Sequence, residues 1–488
     1  MLFLRRIFFY LFVAVYLIFC PLIILYALGY IYKPGAEQGI VKSGLIYLST
    51  APPGASVYFG NRRYTKRTPT LLPNLIPGDY PVRLVLKKYK PWNEVLPVEA
   101  GKATVLEMVL LEPEERKREV LLPDAFEDIV PIAGSRFFLI TKTPQLRNTF
   151  VFDWKDEKAW PLLSEDSSLG RAKFSSYRAI QESPTLLVHA DSVDGNKFLW
   201  VVVRGKETKV KDLTDLFLEV PEQVEWDPAD KKYLFSFQNG YLNRMNVTSH
   251  LLQPRFLENI RGFGLFGKRA YVLRSDFVFE QVDFEGKKEK TLLHDPILGK
   301  SLFGESGFYQ IKVFSDDIIL FLGENGELLA NRLPYRFVAK GVLGLEFHPK
   351  SKRVLVWKKD AIGIIDFSKE RGEGNVFEAG PKVVWAFRQG EKIEQAFWVY
   401  EGSHILFRDK NKVFLLELET YGKPHLYELI EVKHKNSVFY SEEAGKLYYL
   451  DSTTGSLSSV EVLPRRDILL LPFPERKEEK KKIEIREL

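Results

Sequence analysis

The residues best placed to do chemistry in this chain are four cations around an aromatic ring. Arg62, Arg63, Lys66 and Arg67 surround Tyr64 in a stretch expected to be a loop. Such a cluster can hold the phosphates of an anionic polymer or of lipid headgroups. The competing role is a solvated turn, because short basic clusters are commonplace there. As a binding loop it is expected to take a cell-envelope polyanion rather than nucleic acid, for a reason that lies at the N-terminus.

Other patterns suggest chemistry and fail on context. Gly262-Phe263-Gly264-Leu265-Phe266-Gly267-Lys268 has the glycine spacing of a dinucleotide loop and nearly that of a phosphate-cradling loop. Both need a helix directly after them whose N-terminus faces the phosphates. The next residues, Ala270-Tyr271-Val272-Leu273, are a strand instead, and Arg269 stands where a Ser or Thr would hold magnesium. Close strand packing explains the glycines. His189, His250, His294, His348, His404, His425 and His434 are scattered, with no pair at metal-ligand spacing. Asp191 to Asn196 lacks the later bidentate Glu of a calcium loop and reads as a hairpin turn. Ser306 has its second glycine one residue too early for a nucleophile elbow. No catalytic, metal or cofactor-binding residue is assigned, and no cofactor is expected.

The elements that position these residues begin with the stretch from Ile7 to Tyr32, which is apolar and carries no charge. As a helix it would be about 39 Å long, enough to cross a hydrocarbon core of about 30 Å. Phe8, Phe9 and Tyr10 at one edge and Tyr26, Tyr30 and Tyr32 at the other suit the two headgroup layers. Pro21 is expected to kink the helix, which spanning segments tolerate. A cleaved signal peptide would need a shorter apolar region, although Ala27-Leu28-Gly29 offers a cleavage site. Cys20 comes after bulky Phe19, which disfavours a lipoprotein, and reads as a thiol facing lipid. Arg5 and Arg6 precede the span while Lys33 and Lys42 lie beyond it, so the positive-inside bias toward a cytoplasmic N-terminus is weak. The short N-terminal tail has the shape of a signal anchor, which places the bulk of the chain outside the cytoplasm.

The body of the chain is expected to be β-rich. It has 488 residues, 36 of them Phe, and room for two or three domains. With Cys20 as its only cysteine it can form neither an internal disulfide nor a thiolate metal site. A net charge of +6 over 134 charged residues does not imply a nucleic-acid partner.

After a connector from Lys33 to Ser43, the run Gly44 to Glu112 reads as a compact all-β unit. Gly44 to Thr50 alternates as a strand, Pro52-Pro53-Gly54-Ala55 turns, and Ser56 to Phe59 returns with Gly60-Asn61 as its turn. Further strands are expected at Tyr80 to Leu86, Val95 to Val98 and Ala103 to Leu111. This order resembles the PEGA domain, a small β-sandwich of envelope-exposed proteins. The carriers are Ser49 to Tyr58, Thr68-Pro69, Leu75-Ile76-Pro77-Gly78-Asp79-Tyr80, and Tyr89 with Trp92. Pro53 stands in place of the family's acidic residue, and Lys88 where Gly is common. The resemblance implies a spacer or binding module without a catalytic site.

Beyond a charged link, Pro113 to Arg118, aromatic and β-branched runs recur. They start near Asp128, Ile180, Val224, Arg261, Val313, Leu345, Ile393 and Asn436, seven steps averaging 44 residues. That is the length of a four-stranded propeller blade. Val224-Glu225-Trp226-Asp227-Pro228 before Tyr233 to Phe237, and Leu345-Glu346-Phe347-His348-Pro349 before Val354 to Trp357, show the strand, Pro turn and second strand most clearly. The arrangement resembles TolB-type and WD-like β-propellers, with seven or eight blades between residues 119 and 472. Val120 to Pro123 and Leu447 to Asp451 are the candidates for closing the ring. A helical domain is excluded, and the charged C-terminal segment, 473–488, is expected to be solvated.

The expected protein is thus mainly β and integral to the cell membrane, with one span. Its cytoplasmic N-terminus is residues 1–6, and its propeller meets a protein or cell-envelope polymer. The alternative is a propeller-based hydrolase of envelope glycans or peptides.

Overall fold

The computed structural model describes residues 2–32, 39–132, 135–179, 184–304, 306–331, 335–368, 382–418, 425–433 and 438–462. Expected features at Ile180, His434, Asn436 and 473–488 lie outside these residues. The chain divides into two compact units, one built mainly on residues 1–117 and the other on 118–442 with 446–460.

The first unit begins with helix α1, Leu2–Ala27, which continues through Pro21. Phe12, Leu17 and Ile23 each leave more than 60% of their surface open, so no protein core covers them. Ile7–Ala27 is long and apolar enough to cross a membrane. The helix ends earlier than its apolar composition suggests. Tyr30–Tyr32 pairs antiparallel with Ile40–Lys42, and Ser43 donates its backbone N–H to the Gly29 carbonyl at 2.7 Å. Residues 33–38 of the expected connector lie outside the described residues, and its described end pairs back onto the chain that leaves α1 where Gly29, at φ +86°, turns it out of the helix.

Seven strands then form a two-sheet sandwich. Thr70–Leu75, Gly44–Ala51 and Ala103–Leu110 make one sheet, in that order, with the last two strands parallel. Arg62–Arg67, Ser56–Phe59, Gly78–Val85 and Trp92–Val98 make the other. Alternation sends Ile46, Leu48, Val57, Leu84, Trp92 and Leu96 into one core. Burying a leucine such as Leu84 contributes about 2 kcal/mol. The hydroxyl of Thr68 accepts the Ala55 N–H at 2.9 Å, tying together the two Pro-bearing turns.

The second unit holds six separate four-stranded sheets and one eight-stranded sheet that is two such sheets joined, making eight blades among the described residues. Their inner strands start at 128, 173, 223, 260, 309, 342, 393 and 439, close to the periodic runs in the sequence. Middle strands such as Phe137–Thr141 are buried throughout, whereas outer strands such as Lys158–Pro161 are largely exposed. That gradient arises from stacking each sheet between two neighbours.

The ring closes through the eighth blade. Its strands Phe439–Ser441, Lys446–Leu450 and Ser456–Glu461 are completed by Arg118–Ala125 from the start of the unit. Val120 lies opposite Ser458, so the N-terminal partner was legible, but its mate is Ser456–Glu461 and not Leu447 to Asp451. Phe138 of the first blade meets Phe439 and Tyr448 of the eighth at 5.0 and 5.6 Å between ring centres. Among the described residues of this unit, one α-helix and four single-turn 3-10 helices break the all-β pattern; the α-helix, α2, Pro296–Phe303, links the fourth and fifth blades, with Asp295 capping the N–H groups of Ile297 and Leu298.

Candidate functional sites: an arginine face and the propeller axis

The basic cluster is a strand, not a loop. Arg62–Arg67 forms the edge of the four-stranded sheet of the sandwich, and cations on an edge strand deter pairing with another chain. The strand separates the four cations. Arg63 lies opposite Tyr58, and Arg67 opposite Ser56. Arg62 lies opposite Phe59, whose ring packs on Tyr64 at 6.4 Å, and Lys66 alternates with Arg67. Arg63 and Arg67 therefore share the outer face of the sheet, while Arg62 and Lys66 project to the other side.

A third arginine joins them there. Arg83, on the neighbouring interior strand, also lies opposite Tyr58, and its guanidinium covers that ring at 4.9 Å. Arg63 donates to the Ser56 hydroxyl at 3.2 Å. All three are exposed, and among the described residues none has a carboxylate within ion-pair distance. The sequence separates Arg83 from the cluster by sixteen positions, and only the strand register brings it in.

Around the propeller axis, inner strands of the first five blades line a cavity of about 910 Å³. Lys312 of the fifth blade meets Glu225 of the third at 2.9 Å, with Gly264 of the intervening fourth blade lining the same space. Burial alone would push the Glu225 carboxyl upward. The charge and hydrogen bond of Lys312 and a bond from Gln223 outweigh it and hold the group below the usual carboxylate range. Asp227, nearby, is pushed up by burial against the backbone N–H groups of Asp230 and Ala229 that it accepts. Its place is the Asp-Pro turn, where it closes the chain on itself.

The other motifs are structural. A Cβ on Gly262 or Gly264 would lie 2.1 Å from the carbonyl oxygen of Tyr309 or Ile311, so these glycines let the inner strands of the fourth and fifth blades approach. Ser192 pairs with Gly195 in a hairpin. Ser306 is buried, its hydroxyl 2.3 Å from where a Cβ on Gly323 would sit. His189 stacks on Phe198 at 4.8 Å and bonds Asn196 at 2.9 Å. His348 bonds the Ser351 hydroxyl within its own turn at 2.8 Å. Among the described residues no three His, Cys, Asp or Glu side chains gather as metal ligands.

Eight sheets arranged about an axis, preceded by a seven-stranded sandwich, define a β-propeller protein with an N-terminal module. That module, residues 43–114, matches the PEGA domain family. No curated protein matches the chain. Similar solved structures include the Dos1 propeller, with a TM-score of 0.44, 11% identity and coverage of 72% of this chain and 95% of that one. BamB from Moraxella catarrhalis has a TM-score of 0.40, 10% identity and coverage of 71% and 98%. The computationally designed Ika8 protein has a TM-score of 0.42, 10% identity and coverage of 69% and 96%.

Proposed function

We propose that this protein is a single-pass membrane protein, anchored by α1 with the bulk of its chain outside the cytoplasm. Its propeller would act as a scaffold for protein contacts at the cell envelope, by binding and not by catalysis. The observation that carries the reading is an asymmetry between the two propeller faces. In antiparallel blades, the links between blades and the turns between second and third strands open on one face. Among the described connecting residues of the propeller, the exposed large apolar side chains Val193, Leu218, Val220, Ile297 and Leu298 all belong to that face. Turns on the opposite face carry charged tips such as Lys155-Asp156-Glu157 and Asp230-Lys231-Lys232. Exposed apolar groups gathered on one face of a soluble body favour a protein partner. Ile297, 84% exposed on a capped helix, is its most prominent member. Binding is also favoured by the axial carboxylate Glu225, whose charge is tied to Lys312 rather than poised as an acid or base.

Protease added to intact cells is expected to remove the propeller while α1 stays with the membrane fraction. A propeller fully protected until the cells are lysed would overturn the topology. In-cell crosslinking should then capture a partner through the apolar face. The double variant Leu218→Asp, Ile297→Asp is expected to lose that crosslink with the fold intact, and Lys155→Asp on the other face to keep it.

A further inference from the structure

Edge protection accounts for cations on the strand Arg62–Arg67, but not for Arg83, which sits on an interior strand. Three facts bear on what the face is for. Arg63 and Arg83 flank Tyr58 on adjacent strands, so their backbones are about 10 Å apart, and Arg67, opposite Ser56 two residues along from Tyr58, lies about 7 Å from the level of Arg63 across an irregularity in its own strand. The only acid that the register places on this face is Asp79, opposite Pro97 and about 13 Å down the strand from Arg83. The two aromatic rings are already engaged, Tyr58 beneath the Arg83 guanidinium and Tyr64 against Phe59.

From this arrangement we propose that the outer face of the PEGA domain's four-stranded sheet, through Arg63, Arg67 and Arg83, binds a linear polyanion of repeated phosphate groups without bases. Guanidinium groups spread over an open sheet match charges repeated along a chain, since each can pair bidentately with a phosphate. Nucleic acid would use open aromatic platforms for stacking, and neither ring offers one. A bilayer fits less well. The sandwich follows α1 through Ser43, which bonds Gly29 just past the helix and accepts the Gly101 N–H, at the end where Gly78 pairs with Val98. Arg83 lies five residues up that strand, about 16 Å away, and Arg67, opposite Ser56 and level with Val85, lies farther still. Those distances exceed the roughly 8 Å over which physiological salt leaves charges unscreened. The polymer site does not require the topology proposed above.

The test uses the full chain in nanodiscs of zwitterionic lipid, with fluorescent inorganic polyphosphate as the probe. Binding is expected, weakening steeply with added salt. The triple variant Arg63→Gln, Arg67→Gln, Arg83→Gln should weaken it about tenfold or more, and the single Arg83→Gln several-fold. The edge pair Arg62→Gln, Lys66→Gln should change it less than twofold. All five positions are exposed, so the fold should be retained. Binding unchanged in the triple variant, or lost equally in the edge pair, would overturn the face. Tighter capture of oligothymidylate than of polyphosphate at equal charge would assign it to nucleic acid. Protection of Asn93, exposed opposite Arg83, only in phosphatidylglycerol nanodiscs would assign it to the bilayer.

Discussion

The fourth and fifth blades are joined differently from the sixth and seventh. At the first joint the inner strands pair directly and in parallel, Gly262 with Tyr309 and Phe263 with Gln310. At the second, the Glu346 carboxylate accepts the backbone N–H of Trp398 at 3.0 Å, and the Trp398 indole N–H donates to the Glu346 carbonyl at 3.1 Å. Inner strands at a propeller axis leave backbone groups facing the next blade, and buried ones need partners. One solution brings backbone to backbone and demands residues without side chains. The other sends a carboxylate into a water-poor gap and makes the joint sensitive to protons.

The largest effect is expected at the glycine joint. Gly264→Val places a branched side chain where even a Cβ would meet the Ile311 carbonyl oxygen at 2.1 Å, and that oxygen belongs to backbone held in its own sheet. The strands must separate, at a cost of about 3 kcal/mol or more. Gly267, in the turn at the end of the same strand, has φ +59° and open space around its Cβ position. Gly267→Asn should cost less than about 1 kcal/mol, because Asn tolerates that backbone conformation. Denaturant midpoints of the two variants measure the contrast, and equal midpoints would remove the close-approach explanation.

Much of this architecture was legible in the sequence, and the failures have physical causes. Period and turn chemistry located the blades because each blade repeats the same burial gradient, and the Gly262 to Lys268 run could be rejected as a nucleotide loop from the strand after it. The ring-closing strand Ser456–Glu461 was missed because it is rich in serine, yet Ser456, Ser458 and Ser459 are each no more than 5% exposed. Small hydroxyl side chains fit between stacked sheets, so polarity there does not mark a loop. Helix α2 carried a readable signal, Asp295 before Pro296, but its eight residues were hidden among strands. The arginine face was half legible. Residue order found Arg63 and Arg67 but grouped them with Arg62 and Lys66, because the alternation of a strand is invisible when the stretch is taken for a loop. Arg83 depends on a register that sequence spacing does not encode.

At the carboxylate joint the expected signature is a dependence on pH. Burial pushes Glu346 up to about 7, against the Trp398 N–H bond that favours its charged form. Between the ordinary glutamate value of 4.5 and about 7, the folded protein keeps a proton that the unfolded chain has lost. Stability from this group is therefore full below pH 4.5 and is lost as pH rises to 7, by about 3 kcal/mol. His404, on the second strand of the seventh blade, is buried with its Nδ1 on the Ser403 hydroxyl at 2.8 Å. Burial holds it down to about 4, so its contribution is full above pH 6.5 and falls, also by about 3 kcal/mol, as pH drops to 4. Between pH 4.5 and 6.5 the two slopes oppose each other and nearly cancel. Glu346→Gln should remove one of them, so that stability rises from pH 4 to 6.5 and stays level above it, exceeding the parent by up to about 3 kcal/mol at pH 8. Unfolding midpoints from pH 4 to 8 test this, and an unchanged profile would mean that the joint is open to water.

The smallest effect concerns a third kind of link, the pair Glu225 and Lys312, which joins the third and fifth blades across Gly264. Both side chains keep about a third of their surface open, so solvent screens the pair and its loss should cost only about 1 kcal/mol at neutral pH. The sign of the pH dependence is more telling than the size. With Lys312 present, the Glu225 carboxyl is lowered and stabilises the fold above pH 4.5, an effect lost as pH falls through its folded value. In Lys312→Met, burial acts unopposed by that cation and drives the carboxyl upward, so acid should favour the fold where it had disfavoured it. The stability difference between pH 7 and pH 4 is therefore expected to shrink in Lys312→Met and to recover in Lys312→Arg. If the methionine variant kept the parent's acid limb, the cross-axis pair would be a surface contact, and the glycine joint alone would hold that side of the ring.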